Sequence, residues 1–358
     1  MRFALSEEQT LLQDSLNRAL ADLVPLERVR RYPGEGGPAE VADVWMHLAE
    51  LGLPGLTIPE EQGGLGLGML EAALASESLG KVAAASPFIG ATVLAPLALK
   101  LAGTEEQRRL WLPKLATGAV TVGVAISEPI AGARDGGGVT AANGRLSGQA
   151  LFALNATGAD LLLVADRSGG LHLARTAHAA EPMPSIDVTR RLTALTFEDT
   201  PAEALASNGA LDRLRDAAWI MLAADTLGAA QAMLDKAVAY AKERKQFGRT
   251  IGSFQAVKHL CAEMAAELEP ARALVWYAAY AFDHAPDEAP LMAAHAKAHL
   301  SEIGRFIART STEVHGGIGM TDLLGLHFWF KRIGQNRQLL GGPEKVREIA
   351  ARIQGLAA

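Results

Sequence analysis

Apolar residues early in the chain recur at intervals of three and four: Leu11, Leu12, Leu16, Leu20 and Leu23 fall on one face of a helix. Ser6 and Gln9 have the spacing of a capping box at its start. Pro25, the Pro33-Gly34-Glu35-Gly36-Gly37-Pro38 cluster and Pro59 punctuate a helical texture that lasts to about residue 120, with a Gly-rich turn at Glu60-Glu61-Gln62-Gly63-Gly64-Leu65-Gly66. From about 121 to 206 the texture changes. Short apolar runs such as Val122–Ile126 and Leu161–Val164 alternate with turn signals. Asn143-Gly144, between Val139-Thr140-Ala141 and Arg145-Leu146-Ser147, predicts a hairpin, and Ser168-Gly169-Gly170 a further turn. From about 209 the helical period returns in long stretches at 211–245, 254–283 and 288–312. The expected fold is α+β, mostly α: an N-terminal helical domain (1–120), a middle antiparallel β domain (121–206) and a C-terminal four-helix bundle (207–358).

Composition narrows the field. The chain has 358 residues, 49% hydrophobic and 21% charged, an ordinary globular balance, with only 5% aromatic, so Leu, Ala and Val must build the core. A net charge of -6 argues against a general nucleic-acid binder. One cysteine, Cys261, excludes an intramolecular disulfide and fits a reducing compartment. Acidic residues stand where a signal peptide needs an apolar run, and no run of about 18 uninterrupted apolar residues appears, so the expectation is a cytoplasmic protein without a membrane span.

Three segments hold candidate chemistry. In Tyr240-Ala241-Lys242-Glu243-Arg244-Lys245-Gln246-Phe247-Gly248-Arg249-Thr250-Ile251-Gly252-Ser253-Phe254-Gln255, a helix is expected to break at Gly248 and restart by Phe254. Arg244 offers a planar fork of donors suited to phosphate, although a basic helix end capped by Gly248 has the same appearance. Glu313-Val314-His315-Gly316-Gly317-Ile318-Gly319-Met320 permits close backbone approach to a ligand, or is simply a helix C-cap and turn. Ala125-Ile126-Ser127-Glu128-Pro129 lies where the first strand ends. His295 and His299 have helical i, i+4 spacing but no acidic third ligand nearby in sequence, so no metal site is expected.

Taken together, these segments resemble the acyl-CoA dehydrogenase family over nearly the whole chain. So do Leu48-Ala49-Glu50-Leu51-Gly52-Leu53, the Pro59–Gly66 stretch, Glu77-Ser78-Leu79-Gly80, Gly103-Thr104-Glu105-Glu106-Gln107 and Trp111-Leu112-Pro113. The resemblance implies an FAD-dependent oxidoreductase of fatty acid or steroid side-chain β-oxidation. Such an enzyme desaturates an acyl-CoA thioester and hands electrons to an acceptor protein. It also implies an oligomer in which the flavin ring lies between β domain and bundle while the ADP half crosses to a neighbouring subunit. The neighbour's contacts would be Arg244, with Phe247 and Gly248 shaping its turn, Phe254, Gln255, and Gly316, Gly317 and Gly319. Glu313 stands where the family usually has Gln, and Ser127 satisfies the hydroxyl expected in its segment.

The departures from the family pattern are concentrated elsewhere. Phe152-Ala153-Leu154-Asn155 replaces a Trp-Ile-Thr or Trp-Ile-Ser run, and Leu154 cannot donate a hydrogen bond. Ala133 replaces a Ser that often contacts the substrate side. The Glu that removes the α-proton falls at Leu340 or Gly341, or, in members that place it on the first bundle helix, at Ala218. Asp216 and Asp225 are the nearest carboxylates to Ala218. Asp225, two turns away on roughly the same face, is the candidate base, while Glu344 reads as an N-terminal acid of the last helix. The expectation is therefore a base-lacking partner of a sister subunit in a heteromer. The alternatives are a homo-oligomer with an unrecognised base and a non-enzymatic scaffold of the same fold.

Overall fold

The computed structural model describes residues 4–34, 37–134, 136–206 and 209–357; the Glu35-Gly36 part of the early turn cluster lies outside them. The first layer is helical: α1 (Glu7–Leu23), α2 (Leu26–Arg31), α3 (Gly37–Glu50), α4 (Met69–Lys81), α5 (Ala95–Ala102) and α6 (Glu105–Ala116). The capping box that opens α1 is formed: Gln9 N donates to Ser6 Oγ at 3.1 Å, and Ser6 N donates to the Gln9 side chain at 2.9 Å. Thr104 and Gln107 repeat the device at α6.

A sheet follows, made of β1 (Val122–Ala125), β2 (Gly138–Ala142), β3 (Arg145–Leu154), β4 (Leu161–Ala165), β5 (Leu171–Ala174), β6 (Ala179–Pro182), β7 (Leu192–Pro201) and β8 (Glu203–Ala204), with the short α7 (Ser127–Ala131) leaving β1. The strand order is β6-β7-β3-β1-β4-β5-β8, with β2 beside β3. Asn143 and Gly144 take φ of 50° and 72° and turn β2 into β3, as the two-residue hairpin requires. The sheet is not wholly antiparallel. β1 and β4 run parallel, with Val122 opposite Leu161, because the β2–β3 hairpin intervenes and returns the chain to β1's free edge in the same direction. Both strands are buried along their whole length, as a parallel pair covered on both sides must be.

The bundle comprises α8 (Ala210–Glu243), α9 (Gln255–His284), α10 (Ala289–His315), α11 (Leu326–Gln338) and α12 (Pro343–Ile353). The first long helix ends before Gly248, at Glu243. Arg244 is already extended, and a minimal hairpin, β9 (Lys245–Gln246) and β10 (Arg249–Thr250), carries Phe247 and Gly248 at its tip with φ of 53° and 76°. The extended Arg244 ends the helix, and the two successive positive φ values close a strand pair that lies outside the main sheet.

Helix α8 lies at the centre of the molecule. By length and composition it could cross a membrane, but 94% of its most apolar window is buried inside the fold, as in a core helix. Its contact with α4 depends on two glycines. A Cβ on Gly80 would lie 2.0 Å from Asp225 O, and one on Gly228 would lie 1.8 Å from Glu77 O. At this crossing the backbones touch, and the first helical layer shares its core with the bundle.

Candidate functional site

A cleft of about 300 Å³ opens between the sheet and the bundle. Ser127 and Glu128 enter it from the start of α7, Phe152 from β3, Ser185 from the β6–β7 connection, and Gln338 and Leu340 from the end of α11. The pairing of β3 with β7 slips between Ala150 and Ala153, and at this bulge Phe152 takes φ of 58°. Glu128 braces the bulge: Leu151 N–H donates to its carboxylate, and burial pushes the carboxyl's pKa up. Across the cleft, Leu340 has φ of 55° and Gly341 φ of 105°, and the Leu340 carbonyl accepts from the Trp219 indole at 2.8 Å. The segment around Ala218 and the segment around Leu340 therefore meet. Both side chains are apolar and sealed, at 0% and 3% exposure. Leu154, two residues along β3 from Phe152, is buried, and Ala133 is exposed.

Asp225 does not line this cleft; it lies in a buried ion cluster. Its carboxylate accepts from Arg332 Nε at 2.8 Å, Arg332 Nη2 at 2.6 Å and Asn336 Nδ2 at 2.6 Å, and Arg190 Nη2 stands 3.2 Å away. Burial alone would raise its pKa, but the guanidiniums of Arg332 and Arg190 outweigh burial and hold it below the ordinary carboxylate range. A carboxylate so placed, committed to two guanidiniums and an amide, is a weak base. Asp216 is also buried, against Arg215, and burial pushes its pKa up. Glu344 opens α12 as expected and pairs with Arg337 at 3.2 Å. Arg332 goes on to donate to Thr189 Oγ1 at 2.9 Å, so the cluster ties the β6–β7 connection to α8 and α11.

The remaining candidates gather at the end of the bundle where α8 and α10 finish. Tyr240 and His315 stack there with ring centroids 4.7 Å apart. This brings the Arg244 hairpin to the same end as the Gly-rich turn. Arg244, Gln255 and Glu313 are exposed, Phe254 is half-buried at the start of α9, and Phe247 is 91% exposed. A Cβ on Gly316 or Gly317 would meet nothing within 4 Å, so these glycines face open space, whereas Gly319 is packed against His315 and Thr312. The structure thus puts Ser127 in the cleft, Asp225 in the buried ion cluster and the other candidates on this outer rim. His295 and His299 are half-buried, and no metal-holding group of three or more His, Cys, Asp or Glu occurs among the described residues.

Sequence reasoning passed over Glu128, Asp187, Arg190, Lys297 and Arg332. Lys297 left a signal: it occupies the same helix face as Ala293, Ala294 and Leu300, where an apolar residue is the rule.

Two family models match the chain: "Acyl-CoA dehydrogenase, N-terminal domain" over residues 6–119 and "Acyl-CoA dehydrogenase, C-terminal domain" over residues 212–354. Among curated proteins, it is 32% identical over 351 residues to acyl-CoA dehydrogenase IpdE2 of Mycolicibacterium smegmatis, covering 98% of this chain and 100% of that one. It is 35% identical over 312 residues to IpdE2 of Mycobacterium tuberculosis, covering 87% and 85%. Among solved structures, the Tcur3481-Tcur3483 steroid ACAD G363A variant superposes with a TM-score of 0.87 at 31% identity, covering 98% of each chain.

Proposed function

This chain is a member of the acyl-CoA dehydrogenase family, and from that premise we propose that it is the base-lacking subunit of a heteromeric, FAD-dependent dehydrogenase that desaturates an acyl-CoA thioester. One observation carries the reading. The two segments where the family keeps its base meet at the cleft, and both positions are apolar and sealed, while the rim groups that would serve a neighbour's cofactor stand free. The carboxyl among the cleft's lining residues, Glu128, is committed to the β3 backbone.

The residues of the rim fit an extended diphosphate cofactor. Arg244 supplies a charge-assisted donor, the open backbone at Gly316 and Gly317 admits close approach, and Phe247 is almost fully exposed beside them. FAD bound there would supply the hydride acceptor for the thioester's β-carbon. In the assembly Arg244, Gln255 and the Gly316–Gly319 turn would hold its ADP half, and the carboxylate that takes the α-proton would come from the sister chain. In this chain's own cleft, Phe152 and Ser127 would face a flavin ring without the hydroxyl that Leu154 replaces. A relative whose name pairs two components, Tcur3481-Tcur3483, and is described as a steroid ACAD, supports both the heteromer and a steroid side chain or similar acyl group. A cytoplasmic location and an electron-acceptor protein partner belong to the same reading.

The test is an electron-acceptor assay across a panel of acyl-CoAs. The purified single chain should turn over at least about 10²–10⁴-fold more slowly than the same chain co-expressed with a sister subunit bearing the Glu, the range a positioned base contributes. Flavin should be recovered at one per pair. Brisk turnover by the single chain would refute the proposal.

A further inference from the structure

The two halves of the rim arrive from distant parts of the chain: the Arg244 hairpin follows α8, and the Gly316–Gly319 turn follows α10. To grip one diphosphate they must keep a fixed relation to each other, because a hydrogen bond weakens steeply once its donor is misaimed. A short run of contacts through His315 joins them. The imidazole stacks on Tyr240, with ring centroids 4.7 Å apart and planes at 27°. Its Nδ1 donates to the Ser311 carbonyl at 2.7 Å, which fixes the ring against its own helix. The Tyr240 carbonyl accepts from Arg244 N at 2.8 Å, and the Arg244 carbonyl accepts from Ile251 N at 2.8 Å, so the backbone of Arg244 is held on both sides. On the far side the turn folds back on the same residue: a Cβ on Gly319 would lie 2.8 Å from His315 Cβ.

Two simpler roles for His315 fit the surroundings less well. The helices do not need it to meet, since Ser311, one turn earlier on α10, already donates to the Met233 carbonyl of α8 at 2.8 Å. Nor is it placed as a cation for phosphate. Its side chain is buried, and burial, with the Lys236 ammonium adding to it, pushes its pKa down. We propose that His315 is a positioning residue for the rim: its stack on Tyr240 sets the Arg244 hairpin against the Gly316–Gly319 turn, so that both meet the diphosphate of one FAD. The proposal rests on the cofactor reading above and adds the residue through which the two halves act together. A stacked pair suits the task because aromatic rings hold a preferred offset and angle as well as a separation.

The test is a double-mutant cycle on FAD affinity, measured by reconstituting the flavin-stripped assembly with FAD and following flavin fluorescence. His315→Leu keeps apolar bulk but removes the ring, and should weaken FAD about three- to tenfold. His315→Phe restores a ring and should recover most of that loss. In an Arg244→Ala background, where there is no guanidinium left to position, His315→Leu should cost less than about twofold. Should His315→Leu fail to assemble, Tyr240→Leu removes the same stack from its half-buried side and enters the same cycle. Three results overturn the proposal: His315→Leu binds FAD as wild type does, His315→Phe falls as far as His315→Leu, or the His315→Leu factor is the same with and without Arg244, as plain packing would give. If Arg244→Ala alone leaves FAD affinity unchanged, the cofactor reading of the rim fails first and the positioning role falls with it.

Discussion

At the junction of sheet and bundle, Leu340 lines the cleft with the Trp219 indole on its carbonyl, and Ala218, Trp219 and Leu340 are packed and almost without exposure. At the end of the bundle where α8 and α10 finish, Arg244, Phe247, Gly316 and Gly317 stand in open solvent. The cleft is ordered by contacts internal to the chain: an indole on the Leu340 carbonyl and Glu128 on the β3 backbone. The rim is the reverse, with a hairpin at positive φ and two glycines whose space is unfilled by this chain. A fold preserved only as a scaffold has no reason to keep a phenylalanine 91% exposed at a strained tip. The contrast suits a chain whose own chemistry has been closed down while its contribution to another subunit persists.

The largest expected effect concerns Asp225, because it separates a base from a structural charge. Removing one member of a buried, hydrogen-bonded ion cluster leaves the guanidiniums of Arg332 and Arg190 uncompensated. Asp225→Ala should therefore lower unfolding free energy by about 3–5 kcal/mol, read from urea denaturation midpoints. Asp225→Asn keeps the shape and part of the hydrogen bonding and should cost less. If Asp225→Asn keeps full stability yet abolishes turnover in the assembly, Asp225 is the base and the contrast between cleft and rim collapses.

Next comes Arg244. A charge-assisted bond to phosphate contributes on the order of 1.5–3 kcal/mol, so Arg244→Ala should weaken flavin retention by the assembly by about tenfold or more. The fold should be unaffected, since the side chain is exposed. The readout is the flavin-to-protein absorbance ratio after gel filtration. Unchanged occupancy would mean that the rim serves something other than a diphosphate.

How far the sequence revealed these regions follows from how local each feature is. The Ser6–Gln9 box and the Asn143-Gly144 turn are decided within four residues, and both formed as the spacing implied. The parallel pairing of β1 with β4 was hidden because it depends on where the intervening hairpin goes, and a short apolar run does not encode direction. The end of α8 at Glu243 was misplaced because Gly248 looked like the breaker, whereas Arg244 is already extended and Phe247-Gly248 forms the tip of a hairpin that follows the helix. The ion cluster was the least legible. Asp187 and Arg190 carry no pattern that marks them, and their partners Asp225 and Arg332 arrive from helices far along the chain. Only Lys297, a cation on an alanine-lined face, announced its burial.

That lysine supplies the smallest effect, and its sign can be worked out. Lys297 Nζ donates to the carbonyls of Asn336 and, at 3.3 Å, Arg337, the last turn of the helix that delivers Leu340 to the cleft. Burial, with Arg190 and Arg337 adding repulsion, pushes its pKa down to about 7 from 10.5. Below about pH 7 the ammonium is protonated in both folded and unfolded chains and contributes no pH dependence. Between there and the unfolded value, the unfolded chain holds a proton that the folded chain has released. Unfolding then takes up a proton, so stability rises with pH, at most by about 1.4 kcal/mol per unit. Lys297→Met has no such proton to exchange. Urea denaturation of both proteins at about pH 6 to about pH 9 should show the wild type gaining on Lys297→Met as pH rises, with no divergence at the acid end. Parallel curves throughout would mean that the ammonium is as well solvated in the fold as in water. The carbonyl clamp beneath Leu340 would then be an incidental contact rather than what holds the cleft floor in place.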